Sequence, residues 1–502
     1  MKKSTNTDGY LHVLKYISLF GGVQGLNVLI GVIRNKIVAL LLGPQGVGLI
    51  SLFNSSIRLV SDSTNFGIAI SAVRNLSSDY DNGEDERLQA DIRIVRSWSL
   101  LTAVLGMVVC IALSPLLSHY SFSWNGYTFD FILLSPIIAL TAITNGEMAI
   151  LKAVRRLRQL AELSVYNVLG TSLLTIPLYY FFGERAIVPS LLLAAVVQVV
   201  LTLSASWRLY PFKLSFSRSD LGAGLGMIRL GVAFVLAGVL GSGADFIIRS
   251  YLNNVANTAT VGFYNAAYMM TMVYAGMIFS AMETDYFPRL SGVNQLSFTF
   301  RQTVNRQIEV TLLLVSPLLA LFLLLLPQLL EVLYSGRFLP ALGMAQVLVL
   351  AMYVRAVRLP MEYISLAKGA SRAYLILEST YDLLLVALLL TCFNKWGITG
   401  AGIGIALAGT LHLLIVYVYM ARNYHYQLSA DVVKLAAFQF TLGLLTFFCV
   451  RSELWQWRWC VASGLCLVSA IASVRVLRSK TDQQWNSLRN KIKDKFIRHD
   501  KG

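Results

Sequence analysis

Residues 31–53 read GVIRNKIVALLLGPQGVGLISLF, an apolar run that holds two cations, Arg34 and Lys36. The run is oily enough to lie in hydrocarbon. A guanidinium or ammonium at that depth costs at least about 2.5–3.5 kcal/mol, so something must compensate it. The fold and the purpose of the charge are therefore one question.

The rest of the chain repeats the pattern. Of 502 residues, 56% are hydrophobic and only 14% charged, and the mean hydropathy is +0.63. A soluble protein carries about 25% charged residues, so this composition belongs to a membrane protein. Apolar windows of about 20 residues, the length that crosses hydrocarbon, recur along the whole sequence. Fourteen are read, at 14–40, 46–70, 98–118, 129–150, 161–182, 187–206, 230–253, 260–282, 308–330, 341–362, 373–393, 398–420, 433–451 and 457–474, with twelve as the alternative. The start, MKKSTNTDGYLHVLKY, lacks a small-residue cleavage site after a short apolar core. The first segment is read as a retained helix rather than a signal peptide.

A net charge of +16 would suit nucleic acid if it were clustered. It is not. About thirty of the 42 lysines and arginines fall on one side of the span pattern: the N-terminus, the even-numbered connections and the C-terminal tail. Five fall on the other side, at Arg185, Arg337, Lys395, Arg451 and Arg458. That asymmetry follows the positive-inside rule. It predicts a multi-pass protein with both termini in the cytoplasm and argues against nucleic acid as a partner. Within the tail, Trp485, Leu488, Ile492 and Phe496 share one helix face among basic residues, a pattern that suits an interfacial helix on anionic lipid.

Motifs for covalent chemistry are absent. The five cysteines lie in or beside spans with no metal-ligand spacing, and the five histidines are scattered. There is no P-loop, GxSxG or dinucleotide fingerprint. GAGIGIALAG at 400–409 is glycine-rich but sits inside a span, where small residues let helices pack closely. No catalytic residue and no metal site is expected.

The two halves resemble each other. Arg34 precedes Gly48 in GVGLISLFN as Arg249 precedes Gly262 in TVGFYNAAY. Arg74 in VRNLS matches Arg289 in FPRLS, and Lys152 and Glu162 match Lys368 and Glu378. The offsets are 215, 214, 215, 216 and 216 residues, the mark of a duplication. Each copy holds six spans, so both enter the membrane from the same side, and a parallel repeat places a substrate site between its copies near the midplane. The predicted organisation is an N-lobe at 1–210, a C-lobe at 224–422, two additional spans at 423–476 and a basic tail at 477–502.

Several charges fall within the spans. Arg34 and Lys36 lie late in the first, and Arg249 lies late in the seventh with Asp245 one turn before it. Arg58 and Asp62 have the same spacing in the second. Arg355, Arg358 and Glu362 form one stripe in the tenth, which Pro360 is expected to kink. Glu378 and Asp382 are read as caps of a cytoplasmic helix end, near Lys368 and Arg372. Arg58–Asp62 is read equally well as a structural ion pair. Of Arg34, Lys36, Arg249, Arg355 and Arg358, four are short of acid nearby in sequence, and cations at that depth mark substrate pathways. With Arg58, these five form the expected anion-binding set. Asp62, Glu147, Asp245 and Glu362 are candidate ion-pair or coupling-ion acids, for a proton or a sodium ion. Arginine is the side chain best suited to phosphate.

In its order of features the chain resembles the polysaccharide-transport branch of the multidrug/oligosaccharidyl-lipid/polysaccharide (MOP) exporter superfamily, and within it the O-antigen and enterobacterial-common-antigen flippases. The resemblance is carried by LLGPQGVGLISLFN, by VGFYNAAYMMTMVYAGMIFSAMETDYFPRLS and by SGRFLPALGMAQVLVLAMYVRAVRLPMEYISLAKGASRAYLILE, and spans residues 10–422. It implies an all-α fold of two six-helix lobes in a V that alternates between inward- and outward-open states in the bacterial inner membrane. It implies as substrate an undecaprenyl-pyrophosphate-linked oligosaccharide, moved from the cytoplasmic to the periplasmic leaflet without a cofactor. Membrane lipids and other polysaccharide-assembly membrane proteins are the implied partners. Related peptidoglycan-precursor flippases have an arginine where Arg34 stands, and two extra C-terminal helices that form a lipid-tail groove.

Two other classes compete. A cation-coupled drug antiporter of the same superfamily is expected to carry an acid in its first span, and residues 11–42 contain none. A membrane polysaccharide polymerase or ligase is expected to carry a long outer loop with Arg or His, and the outer connections here run to about ten residues.

Overall fold

The computed structural model describes residues 6–123, 126–293, 298–452 and 457–499, and the regular elements among them are all helical. In chain order they are α1 (Asn6–Thr64), α2 (Ile68–Asn82), α3 (Asp85–Phe122), α4 (Thr128–Ala153), α5 (Leu157–Phe182), α6 (Ile187–Leu209) and α7 (Arg218–Val255). There follow α8 (Thr258–Tyr268), α9 (Met277–Ser291), α10 (Phe298–Leu333), α11 (Leu342–Ala367), α12 (Ser371–Tyr424), α13 (Ala430–Arg451) and α14 (Arg458–His499). A π-helical stretch, Met269–Ala275, joins α8 to α9.

Ten helical stretches among the described residues are long and apolar enough to cross a bilayer, and three of them are double. In α1 the backbone breaks at Gly43, with φ of 65° and ψ of −170°. Glycine takes that conformation without steric cost, and Pro44 then starts a new helix because it has no N–H to donate. Residues 158–209 are two helices joined through a short turn at Gly183–Ala186, and α12 breaks at Trp396–Gly397. Residues 260–282, expected as a span, form α8, the π stretch and the start of α9 and are not among the ten. Asn265, three tyrosines and two threonines lower the hydropathy there.

Large apolar side chains face outward, among them Leu173, Phe181 and Leu383, each more than 70% exposed. Facing water, such a surface would be a liability; facing lipid it is at rest. α2 differs. It is short and amphipathic, and it buries Ile68, Ala72 and Leu76 against Leu88 and Ile92 of α3 and Ile150 of α4.

The duplication is written into the backbone. α4 and α11 are both 26 residues long and start 214 residues apart. The turns that follow them match residue by residue. Arg155 has φ of 53° and Gly369 has φ of 71°, again 214 apart. Gly183 closes α5 at φ 57°, ψ −135°, and Gly397 breaks α12 at φ 58°, ψ −143°, at the same offset. This register corrects part of the sequence alignment. The match of Lys152 with Lys368 and of Glu162 with Glu378 is two residues out, and two residues turn a helical side chain by about 200°, to the opposite face. At 214, the counterpart of Arg249 is Asn35, next to Arg34.

By contact density the chain forms two compact units. One comprises Met1–Asn265 with Glu331–Phe338, the other Ala266–Leu330 with Leu339–Gly502. The repeat is a division of the sequence and these units a division of packing; α7 packs within the first unit, and α13 and α14 within the second. α14 runs on through His499, but the side chains of Trp485, Leu488, Ile492 and Phe496 lie outside the described residues.

GAGIGIALAG lies in the second half of α12. A Cβ on Gly404 would stand 2.4 Å from Leu389 Cα, and one on Gly400 2.1 Å from the Cys392 carbonyl oxygen. The glycines let the two halves of α12 lie against each other, as the packing reading of the motif expects.

Candidate functional site

The first unit carries the cations of the opening stretch. Arg34 is half-buried on α1 and acts electrostatically on Tyr179 of α5. Lys36 donates from Nζ to the Glu331 carbonyl, 2.7 Å away, at the end of α10. Among the described residues no carboxylate pairs with either. Arg249 on α7 is 8% exposed and better held. It pairs with Asp245 one turn back and donates from Nε to Ser51 Oγ at 2.7 Å. Its guanidinium carbon lies 5.5 Å from the centre of the Tyr264 ring. Arg58 and Asp62 stand 3.6 Å apart on α1, with Ser242 of α7 bonded to Asp62. The Arg58 side chain is 72% exposed on the helix surface.

Glu147 is in a different setting. It is 3% exposed on α4 and meets Arg96 of α3 in a two-point pair, Nε to Oε1 at 2.8 Å and Nη2 to Oε2 at 3.1 Å. Ser206 Oγ and Trp207 Nε1 of α6 also donate to it, at 2.5 and 3.3 Å. Arg96 spends its remaining donors on the carbonyls of Tyr210 and Pro211. The arrangement ties α3, α4, α6 and the segment after α6 into one knot, and a cavity of about 220 Å³ lies beside it, walled mostly by apolar side chains.

The second unit carries the stripe on α11. Arg358 Nε stands 3.0 Å from Glu362 Oε1, and both residues are 8% exposed. His412, in the second half of α12, places Nδ1 3.0 Å from that same oxygen. Arg358 also lies over the Tyr381 ring at 4.5 Å. Arg355 sits 5.6 Å from the centre of the Phe279 ring, with Nη1 3.8 Å from Met272 Sδ in the π stretch. π-helical turns are often found at functional positions. Glu378 lines a cavity of about 120 Å³ with Glu362. It is therefore no helix cap: the residue in the cap position of α12 is Ala370, eight residues earlier.

The acids that the spacing places one turn from Arg249 and Arg358 are their partners, so at most three of the five cations are short of acid, not four. Arg249 and Arg358 are each paired with a carboxylate on their own helix, at i−4 and i+4. Arg96 and His412 are not singled out by the sequence. Arg96 precedes its span by two residues and counts there as a cytoplasmic charge. A signal does exist: Glu147 lies in an apolar span and needs a buried partner. Nothing in the spacing of a lone histidine points to Glu362.

The family described as "Polysaccharide biosynthesis protein" matches residues 37–342, more than half of the chain. The chain belongs to that family. No curated protein matches it by sequence. Among solved structures, an inward-closed lipid II flippase MurJ superposes with a TM-score of 0.72 at 12% identity, covering 92% of this chain and 99% of that one. An inward-facing multidrug resistance MATE family transporter of the MOP superfamily superposes at 0.59 with 14% identity, covering 82% and 96%. The MATE multidrug transporter DinF-BH also reaches 0.59, at 16% identity over 81% and 95%. At such identities these likenesses establish the fold. It is the fold shared by the lipid II flippase MurJ and the MATE transporters.

Proposed function

We propose that this protein is a flippase for a lipid-linked polysaccharide precursor, and that the transported head group is a pyrophosphate carried on undecaprenol. The observation that carries the reading is the pair of cations late in the first half of α1. Arg34 and Lys36 have no carboxylate partner among the described residues, and Arg249 of the same unit lies close by in the repeat register. An intramembrane cation without an acid is costly unless something anionic visits it. A pyrophosphate is such a visitor, and guanidinium groups bind it in two-point contacts. The glycan and pyrophosphate would cross on polar side chains while the polyprenyl chain stays in lipid. No bond is made or broken.

The sequence charge asymmetry supports cytoplasmic termini; the bacterial inner membrane and an O-antigen-like repeat unit as cargo are what the resemblance implies. A drug antiporter of the same fold is disfavoured by the first half of α1, which has no acid from residue 11 to residue 42. The test is reconstitution of the full chain in vesicles with a fluorescent undecaprenyl-pyrophosphate-linked glycan. Wild type should equilibrate the glycan across the bilayer, and Arg34→Ala with Lys36→Ala should slow it by roughly ten- to a hundredfold at equal protein. Equal rates in wild type and the double variant would overturn the reading.

A further inference from the structure

We propose that the cavity beside the Arg96–Glu147 knot holds the end of an acyl chain of an anionic phospholipid in the cytoplasmic leaflet, with Arg208 and Lys213 meeting its phosphate. The proposal is independent of what the protein transports.

A strap builds the cavity. After α6 the chain runs without helix from residue 210 to residue 217. Arg96 of α3 holds this segment by the carbonyls of Tyr210 and Pro211, at 3.0 and 2.8 Å, and Ser97 Oγ accepts from the Ser215 N–H at 2.9 Å. The backbone between those anchors carries Phe212 and Leu214. They wall the cavity together with Leu100 of α3, Ile143 of α4, and Leu203 and Trp207 of α6.

The lining selects an apolar occupant. Arg96 and Glu147 reach the cavity, but they are bonded to each other, to Ser206 and Trp207, and to the strap carbonyls. A polar ligand finds few partners there, and water does not fill an apolar cavity. A hydrocarbon chain gains dispersion contacts along its whole length. The volume of about 220 Å³ is the room of about seven waters. That takes the end of an acyl chain and is far too small for an undecaprenyl tail.

The outer wall points to the source of the chain. Trp207 is 40% and Phe212 48% exposed, with ring centres 4.8 Å apart, and Phe216 further along the strap is 50% exposed. Large aromatic rings of this kind collect where hydrocarbon meets head groups. Arg208 and Lys213 are the chain neighbours of Trp207 and Phe212; both are exposed, and neither pairs with a carboxylate among the described residues. The strap is the sixth connection between spans, on the basic side of the charge asymmetry, which sets the cavity at the cytoplasmic leaflet. An anionic head group there is favoured by roughly fivefold for each nearby cation.

The experiment uses the full chain in lipid nanodiscs that contain phosphatidylglycerol with a diazirine at the end of one acyl chain. After illumination and proteolysis, mass spectrometry should find label concentrated at residues 99–100, 143–147 and 203–214. Leu203→Trp and Ile143→Phe each fill the space and should lower that label severalfold. Arg208→Gln with Lys213→Gln should lower it roughly tenfold or more. This double change lies on the surface, so it tests the site even where a filling variant does not fold. Label at the exposed Leu173 and Phe181 should stay unchanged throughout. Label spread evenly over the apolar surface would overturn the site, as would undiminished cavity label in a filling variant that melts like wild type. Equal label from phosphatidylcholine bearing the same diazirine would overturn the head-group contact. Stronger cavity label from a diazirine-bearing undecaprenyl phosphate would overturn the phospholipid as occupant.

Discussion

Gly48 and Gly262 lie against each other through reciprocal contacts. A Cβ on Gly48 would stand 1.9 Å from the Thr258 carbonyl oxygen and 3.0 Å from the Gly262 nitrogen, and a Cβ on Gly262 would stand 2.0 Å from the Pro44 carbonyl oxygen. Thr258 and Gly262 are the 214-residue counterparts of Pro44 and Gly48. Residue i of one copy thus meets the counterpart of j, and j meets the counterpart of i, as at an isologous two-fold interface. Ser51 and Asn265, also 214 apart, are joined at 3.3 Å. A local two-fold axis runs between the start of the second half of α1 and the start of α8.

Even a methyl group has no room there. Gly48→Ala and Gly262→Ala should each force the two backbones apart, at a cost of about 1–3 kcal/mol. The double variant should cost less than the sum, because one parting of the helices relieves both clashes. Thermal unfolding of the purified single and double variants measures this. Wild-type stability in both singles would mean that the helices separate freely.

Glu147 supports a second prediction. Removing its charge as Glu147→Gln leaves Arg96 buried without a carboxylate, which should destabilise the first unit by about 3–5 kcal/mol. Arg96→Met together with Glu147→Leu removes both charges and should recover a large part of that loss. Thermal stability in detergent distinguishes the outcomes. A single variant as stable as wild type would show that the knot carries no strain of desolvation.

The all-helical fold, the repeat and the breaks were legible because each has a local cause. Apolar windows set span positions, and Gly43–Pro44 marks a break by chemistry that needs no neighbour. The register was legible only to within two residues. Lys152 and Lys368 each stand near the same turn, but α-helical sequence tolerates such slips while the turn geometry at Arg155 and Gly369 does not. The site was legible only along single helices. Arg58–Asp62, Asp245–Arg249 and Arg358–Glu362 are i, i+4 pairs and can be read from spacing. Arg96–Glu147 and His412–Glu362 join residues about fifty apart, and only the packing of α3 on α4 and of α11 on α12 brings them together.

The turn after α4 yields a third prediction. Arg155 holds a left-handed conformation where the second copy has Gly369. That conformation costs a side-chain-bearing residue roughly 1–2 kcal/mol. The ion pair of Arg155 with Asp81, at 2.6 Å, has both side chains about half exposed or more and returns little. Arg155→Gly should therefore leave stability unchanged or raise it slightly, and Gly369→Ala should lower it. The reverse order in a thermal melt would show that Asp81 matters more than the backbone.

Arg249 allows the sharpest separation of charge from geometry. It makes three kinds of contact at once: Asp245 behind it, Ser51 Oγ beside it and the Tyr264 ring beneath it. A lysine at 249 keeps the charge but has no planar fork to hold Ser51 and an anion together. Arg249→Ala should still insert, since removing an intramembrane cation lowers the cost of insertion. It should weaken binding of undecaprenyl pyrophosphate by roughly ten- to a hundredfold, about 1.5–3 kcal/mol, with Arg249→Lys in between. Asp245→Asn acts in the opposite sense. It takes away the carboxylate one turn from Arg249 and should tighten binding, while its effect on folding stays small because Asp245 is 30% exposed. Affinities of the four forms, measured in mixed micelles at equal membrane level, should therefore rank Asp245→Asn, wild type, Arg249→Lys, Arg249→Ala from tightest to weakest. A ranking in which Arg249→Lys equals wild type would reduce Arg249 to a point charge, and one in which Arg249→Ala equals wild type would remove it from the binding site.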